Sequence, residues 1–318
     1  RGPCGLKLAT LLTTSIILSA CSSGASEAPT QPVSVSQKSE DTKSEAKNDT
    51  KETSADDTPA EETNAEAPSD EVTLEEKEIY NQDNIIVTAT GLKMDGFWGP
   101  EITLLVENNS DKNLTIQPRN SSVNGYMIDL QMSCDVAAGK KANDGMVISN
   151  SDLEKCGIDT IADIEFSLHI FESDSWESYV DTEPIKLTTS VGDGYQQVYD
   201  DSGEVLYNNN GIKIISKGLL TDDSIFGPQF ITYIENNSDK GITVQVRDTS
   251  VNGFMIDSSM SAEVASGKKR ISAMSFLSSQ LEENKITEFK NIETSFHIFY
   301  TDGWDTIEDT TPITISFK

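Results

Sequence analysis

His169 and His297 are the only imidazoles in 318 residues, and they sit in matching phrases, His169-Ile-Phe171 and His297-Ile-Phe299. Each is a conceivable catalytic base or metal ligand. A metal needs three or four converging ligands, and a base needs a nucleophile beside it. No Gly-x-Ser-x-Gly motif and no further His is available. A histidine packed into a sheet is the plainer reading. Cys134 and Cys156 face Ala262 and Asn284 in a second copy of the same segment. Their paired presence and paired absence fit one disulfide, with two free buried thiols as the alternative. Closing a loop of about 22 residues would add roughly 3 kcal/mol in the chain-entropy model. The Cys-x-x-Cys spacing of redox motifs is absent. Asp174-Ser-Trp176 and Asp302-Gly-Trp304 place a tryptophan two residues after a carboxylate. Such a pair could stack on a sugar ring while the acid accepts from hydroxyls, or anchor a protein interface. A Trp that closes the end of a core is the plainer reading. Trp98 has Phe226 at its counterpart and is expected to pack inside. Asp200-Asp201 and Asp222-Asp223 offer oxygen ligands to calcium, though not at EF-hand spacing. No catalytic residue, metal site or cofactor is expected.

The charge balance narrows the partners. Asp and Glu number 53 against 24 Lys and Arg, a net charge of −29. That field repels nucleic acid and anionic lipid. Hydrophobic residues make up 36%, below the roughly 45–50% of globular chains, so part of the chain is expected to lack a core. Leu8–Ala20 is an apolar run of about 13 residues, too short for a bilayer span. It follows Arg1 and Lys7 and ends in Leu18-Ser-Ala-Cys21. That tetrapeptide resembles the bacterial lipobox, which implies a signal peptide over residues 1–20 and lipidation of the Cys21 thiol. Residues 21–78 are rich in Ser, Thr, Ala and acids and contain no aromatic residue. A segment of this kind cannot offset its ordering entropy and reads as a disordered acidic tether.

The remainder is one unit written twice. Glu107-Asn-Asn-Ser-Asp-Lys112 returns as Glu235-Asn-Asn-Ser-Asp-Lys240, and Ser122-Val-Asn-Gly125 as Ser250-Val-Asn-Gly253. Gly139-Lys-Lys141 returns as Gly267-Lys-Lys269, read as a turn leading into an exposed strand. Roughly 42 of 90 aligned positions are identical. The copies span 79–190 and 204–318, joined by a Gly- and Asp-rich linker over 191–203. Short alternating runs mark strands at Ile85–Ala89, Ile102–Val106, Leu114–Gln117, Phe166–Phe171 and Pro184–Thr188. Asn108–Lys112 reads as a hairpin turn, Asn124-Gly125 as a two-residue turn, and Ser151–Lys155 and Ser279–Glu283 as short helices. The fold class is all-β: two tandem antiparallel sandwiches.

The order of lipobox, acidic tether and duplicated strand–Asn-Asn-Ser-Asp-Lys–strand domains resembles immunoglobulin-like domains of Firmicute surface lipoproteins. The resemblance implies a fold and a location, the outer face of the cytoplasmic membrane, and carries no activity. The expected function is a non-enzymatic binding or adhesion module, held to the membrane through a lipid on Cys21. Its partner would be an extracellular protein or glycan, and the candidate contacts are Asp174, Trp176, Asp302 and Trp304. A structural spacer in an envelope assembly is the rival reading. A carboxylate-dependent hydrolase is a more distant one.

Overall fold

The computed structural model describes residues 71–221 and 227–317. Cys21, most of the acidic tether, Asp222-Asp223 and Phe226 lie outside the described residues. The first copy contributes β1 (Lys77–Gln82), β2 (Ile85–Lys93), β3 (Glu101–Asn108), β4 (Leu114–Val123), β5 (Tyr126–Met127), β6 (Cys134–Val136), β7 (Lys140–Val147), α1 (Asn150–Lys155), β8 (Asp163–Glu172), β9 (Ser178–Asp181) and β10 (Ile185–Thr188). The second contributes β11 (Glu204–Asn209), β12 (Ile212–Leu220), β13 (Gln229–Asn236), β14 (Ile242–Val251), β15 (Phe254–Met255), β16 (Ser258–Ser259), β17 (Ser261–Val264), β18 (Lys269–Phe276), α2 (Ser278–Glu283), β19 (Asn291–Tyr300), β20 (Thr306–Asp309) and β21 (Ile313–Ser316). The all-β expectation holds.

In each copy one sheet packs on another. β1-β2-β3-β7 form a four-stranded sheet, and β10-β8-β4-β5 begin the second layer, with β6 on β4 and β9 on β8. The alternation expected of half-buried strands is present: β3 and β8 bury every second residue. Ile102, Leu104 and Val106 from one layer meet Ile116, Phe166, Leu168 and Ile170 from the other in one apolar core. Phe230, Ile234, Val244, Phe296 and Ile298 do the same in the second copy.

Asn108–Lys112 is not a hairpin. β3 pairs with β2 and β7, whereas β4 pairs with β8, so this turn carries the chain from one layer to the other. Asn108 is fully buried there. Its Nδ2 donates to the Lys112 and Val136 carbonyls, and its Oδ1 accepts from the Ser110 backbone N–H and hydroxyl. Asn236 repeats all four bonds. The duplicated Asn-Asn-Ser-Asp-Lys phrase is therefore a polar staple between sheets, in which a buried amide is fully satisfied. The Asn124-Gly125 turn does form a hairpin, with both residues at positive φ as such turns require. The helices form where expected, but α1 is preceded by Ser149 as its cap residue, not by Ser151.

Two boundaries shift. Leu74 is buried and β1 begins at Lys77, so order starts before residue 79. The stretch 191–203 is built into the fold: the Tyr199 hydroxyl donates to the Asn124 carbonyl, and Gln197 Nε2 donates to the Gly157 carbonyl. Residues Glu66–Lys318 form one compact unit. Its centre is a single sheet that runs through both copies, because β5 of the first pairs in parallel with β18 of the second.

Candidate binding surface

Trp176 and Trp304 lie in the tight connections β8–β9 and β19–β20. Both are highly exposed, at 76% and 74%. Both hold a positive φ, 63° and 62°, a region that bulky L-residues avoid. The cost is of the order of 1–3 kcal/mol each. Each indole stacks on the phenylalanine at the end of the preceding strand: Trp176 on Phe171 at 5.4 Å and 17°, Trp304 on Phe299 at 5.4 Å and 18°. Each phenylalanine in turn lies against the histidine two residues earlier, Phe171 on His169 at 5.3 Å and Phe299 on His297 at 4.9 Å. Each histidine Nδ1 sits 2.6 Å from a carboxylate, Asp181 or Asp309. The same ladder, Asp–His–Phe–Trp, thus stands on both copies. The buried phenylalanine fixes one ring face of the indole, and the exposed remainder faces solvent.

This arrangement separates the sequence candidates. The histidines serve as the middle rungs of a stack, each with one carboxylate partner. Among the described residues, no group of three or more His, Cys, Asp or Glu is placed to hold a metal ion. The tryptophans do not close the core, since three-quarters of each is exposed. Asp174 is held away from solvent-only duty by Asn113, whose Nδ2 donates to it at 3.3 Å. Asp302 lines a cleft of about 300 Å3 between the copies. Glu165, Ser167 and Thr182 of the first copy and Glu263 and Thr301 of the second complete its polar wall. In the second copy, a tryptophan and a hydroxyl- and carboxylate-lined cleft therefore lie two residues apart.

Trp98 corrects its expectation: it is 74% exposed, edge-on to the still more exposed Phe97 at 4.9 Å. The cause is backbone contact below the pair. The Asn150 amide donates to the Trp98 carbonyl, and a Cβ at Gly99 would lie 1.9 Å from the Ile148 carbonyl oxygen. The Asp95-Gly-Phe-Trp-Gly99 phrase carried this signal, two glycines flanking two aromatics.

Cys134 and Cys156 also depart from the expected bridge: both are free buried thiols. Cys134 lies on β6 and Cys156 caps α1, each filling apolar space in the core of the first copy. Burial pushes both thiols up to about 12, with Asp144 reinforcing it at Cys134 and Asp152 at Cys156. Protonated thiols of this kind are poor nucleophiles and inert packing groups. Asp200 and Asp201, offered as calcium ligands, are instead taken by Lys217 at 2.7 Å and Lys213 at 2.9 Å. The Lys217 hydrogen bond and those from Ser202 hold the Asp200 carboxyl well below its usual range.

No family model matches the chain, and no curated protein matches it. Among solved structures, the chain is similar to the YadV chaperone at 11% identity and a TM-score of 0.24, over 73% of this chain and all of that one. It is also similar to a protein of unknown function from Porphyromonas gingivalis W83, at 10% identity and a TM-score of 0.20, over 69% of this chain and 91% of that one. At these scores neither likeness bears on the site.

Proposed function

We propose that this chain is a non-enzymatic extracytoplasmic binding module, anchored through a lipid on Cys21 and carrying its contact surface on the two tryptophan ladders. The observation that carries the reading is the repeated strain. Two tryptophans at equivalent positions keep an unfavourable φ and an exposed ring. Stacking on phenylalanine returns about 0.5–1.5 kcal/mol, which at best offsets the backbone cost of about 1–3 kcal/mol. Fold stability alone therefore does not account for the arrangement, whereas display of an aromatic face does. A planar, pre-positioned indole loses little entropy on contact and suits a sugar ring or an apolar protein anchor. The partner is an extracellular glycan or protein. Asp302 and the polar cleft beside it supply hydrogen-bond acceptors to a hydroxylated ligand.

The anchor has its own test. Replacing Cys21 by Ala should move the protein from the detergent phase of a membrane extract to the aqueous phase. Retention in the detergent phase would remove the lipoprotein part of the reading and leave the ladders untouched.

The spacer reading is favoured by one observation, the sheet that runs unbroken through both copies. A fused pair resists bending at its joint. The two readings part on ligand capture: a spacer keeps its role when both tryptophans are removed.

A further inference from the structure

The contact that fuses the copies is made by a surface present twice, and among the described residues only one of the two is occupied. In the first copy, the Asn124-Gly125 hairpin docks on the edge of β18. The Gly125 carbonyl accepts from the Lys269 amide at 3.0 Å. Tyr126, 1% exposed, packs among Ile215, Tyr233 and Ile271. Met127 is buried in the second copy's core. Glu165 receives Lys268 at 3.1 Å, and Asp129 receives Arg270 at 3.0 Å.

The first copy's own docking groups recur in the second: Gly253, Phe254, Met255, Asp257 and Glu293 stand for Gly125, Tyr126, Met127, Asp129 and Glu165, while Tyr199 of the linker has no counterpart. Yet Phe254 is 47% exposed and Met255 66% exposed, and Glu293 faces solvent. The hairpin is equally well built there: Asn252 Nδ2 donates to the Glu288 carbonyl, and its Oδ1 accepts from Lys290 and Asn291. The receiving edge also has a counterpart. Lys140 and Lys141 of β7 stand for Lys268 and Lys269, and both are exposed. β7 takes β3 along its length on one side. On the other side, the pairing found among the described residues is a single bridge from Gln131 to its far end at Val147. Its Lys140 end is an open strand edge, which invites a further strand.

We propose that the free hairpin of the second copy docks on the Lys140 end of β7 in another molecule of the same chain, so that the protein associates head to tail. The register follows from the occupied interface. The Lys141 amide donates to the Gly253 carbonyl, Phe254 covers Leu105, and Glu293 meets Lys140. The contact is weaker than its internal template. Thr88 and Asn143 stand where Ile215 and Ile271 do, and Ala142 replaces Arg270, so apolar area and one ion pair are lost. Inside the chain the linker also holds the partners at high effective concentration. The intermolecular contact is therefore reversible, and because it is heterologous it adds molecules head to tail instead of stopping at a two-fold dimer.

Sedimentation velocity from micromolar to near-millimolar protein tests this. The expected result is a weight-average mass that rises steadily with concentration. Glu293→Lys alone and Lys140→Glu alone should each remove mass above the monomer, and the double variant should restore it. Phe254→Ser, at an exposed turn and therefore compatible with folding, should also give monomer with an unchanged circular dichroism spectrum. A wild type that stays monomeric throughout would overturn the proposal. So would association that survives all three single variants, since a different surface would then drive it.

Discussion

At the residue scale, the tryptophans carry the account and make it testable. If Trp304 is held at positive φ, a glycine there loses the stack but also sheds the strain, whereas alanine loses the stack and keeps it. Trp304→Gly should therefore be more stable than Trp304→Ala by about 1 kcal/mol in urea titration. The reverse order would show that no strain is stored. The thiols give a second prediction. Each keeps its proton in the folded chain beyond the ordinary thiol value of 9.0, up to about 12. Above that ordinary value the unfolded state binds fewer protons than the folded one, so stability falls as pH rises from about 9 towards 12. Tyr126, pushed up to about 12 mainly by burial, adds to the same loss. Below pH 9 these groups make stability independent of pH. Alkylation in denaturant without reductant should label both Cys134 and Cys156, and a resistant pair would restore the disulfide. The sequence pointed to Trp176 and Trp304 because a Trp two residues after Asp is conspicuous twice. It could not reveal that the thiols stay apart, since spacing along a chain does not fix the approach of two sulfurs.

At the element scale, the strands and the Asn-Gly turns were legible because alternation and positive-φ residues are local signals. Layer assignment was not. Asn108–Lys112 has the composition of a hairpin turn, but its buried amide bonds the Val136 carbonyl, a contact 28 residues away. Nor was the docking of β5 on β18 legible, although the difference between Tyr126 and Phe254 was in plain sight. Tyr126 is the centre of that joint, edge-on to Tyr199 at 5.3 Å and to Tyr233 at 6.4 Å. The flanking ion pairs are partly exposed and contribute at most about 1 kcal/mol each. Tyr126→Ala should cost about 3–5 kcal/mol and give two calorimetric transitions where the wild type is expected to give one, as the copies lose their shared core. One transition at an unchanged temperature would mean that the linker, and not the sheet, couples them.

At the scale of the whole molecule, the duplication places two ladders on one compact unit. A repetitive ligand could then engage both and gain avidity from a contact that is weak singly. The acidic composition keeps the protein off anionic surfaces while leaving aromatic contacts unaffected. Duplication was readable from self-similarity. The ligand was not, because an exposed indole is compatible with more than one chemistry. The most direct test is co-sedimentation with insoluble cell-wall glycan and with immobilised extracellular matrix proteins, comparing the wild type with Trp176→Gly/Trp304→Gly. The glycine variant keeps both turns unstrained. The account predicts capture of the wild type on one of these supports and at least a tenfold loss in the double variant, equivalent to about 1.4 kcal/mol. Equal capture of both forms, or capture of neither, would contradict it.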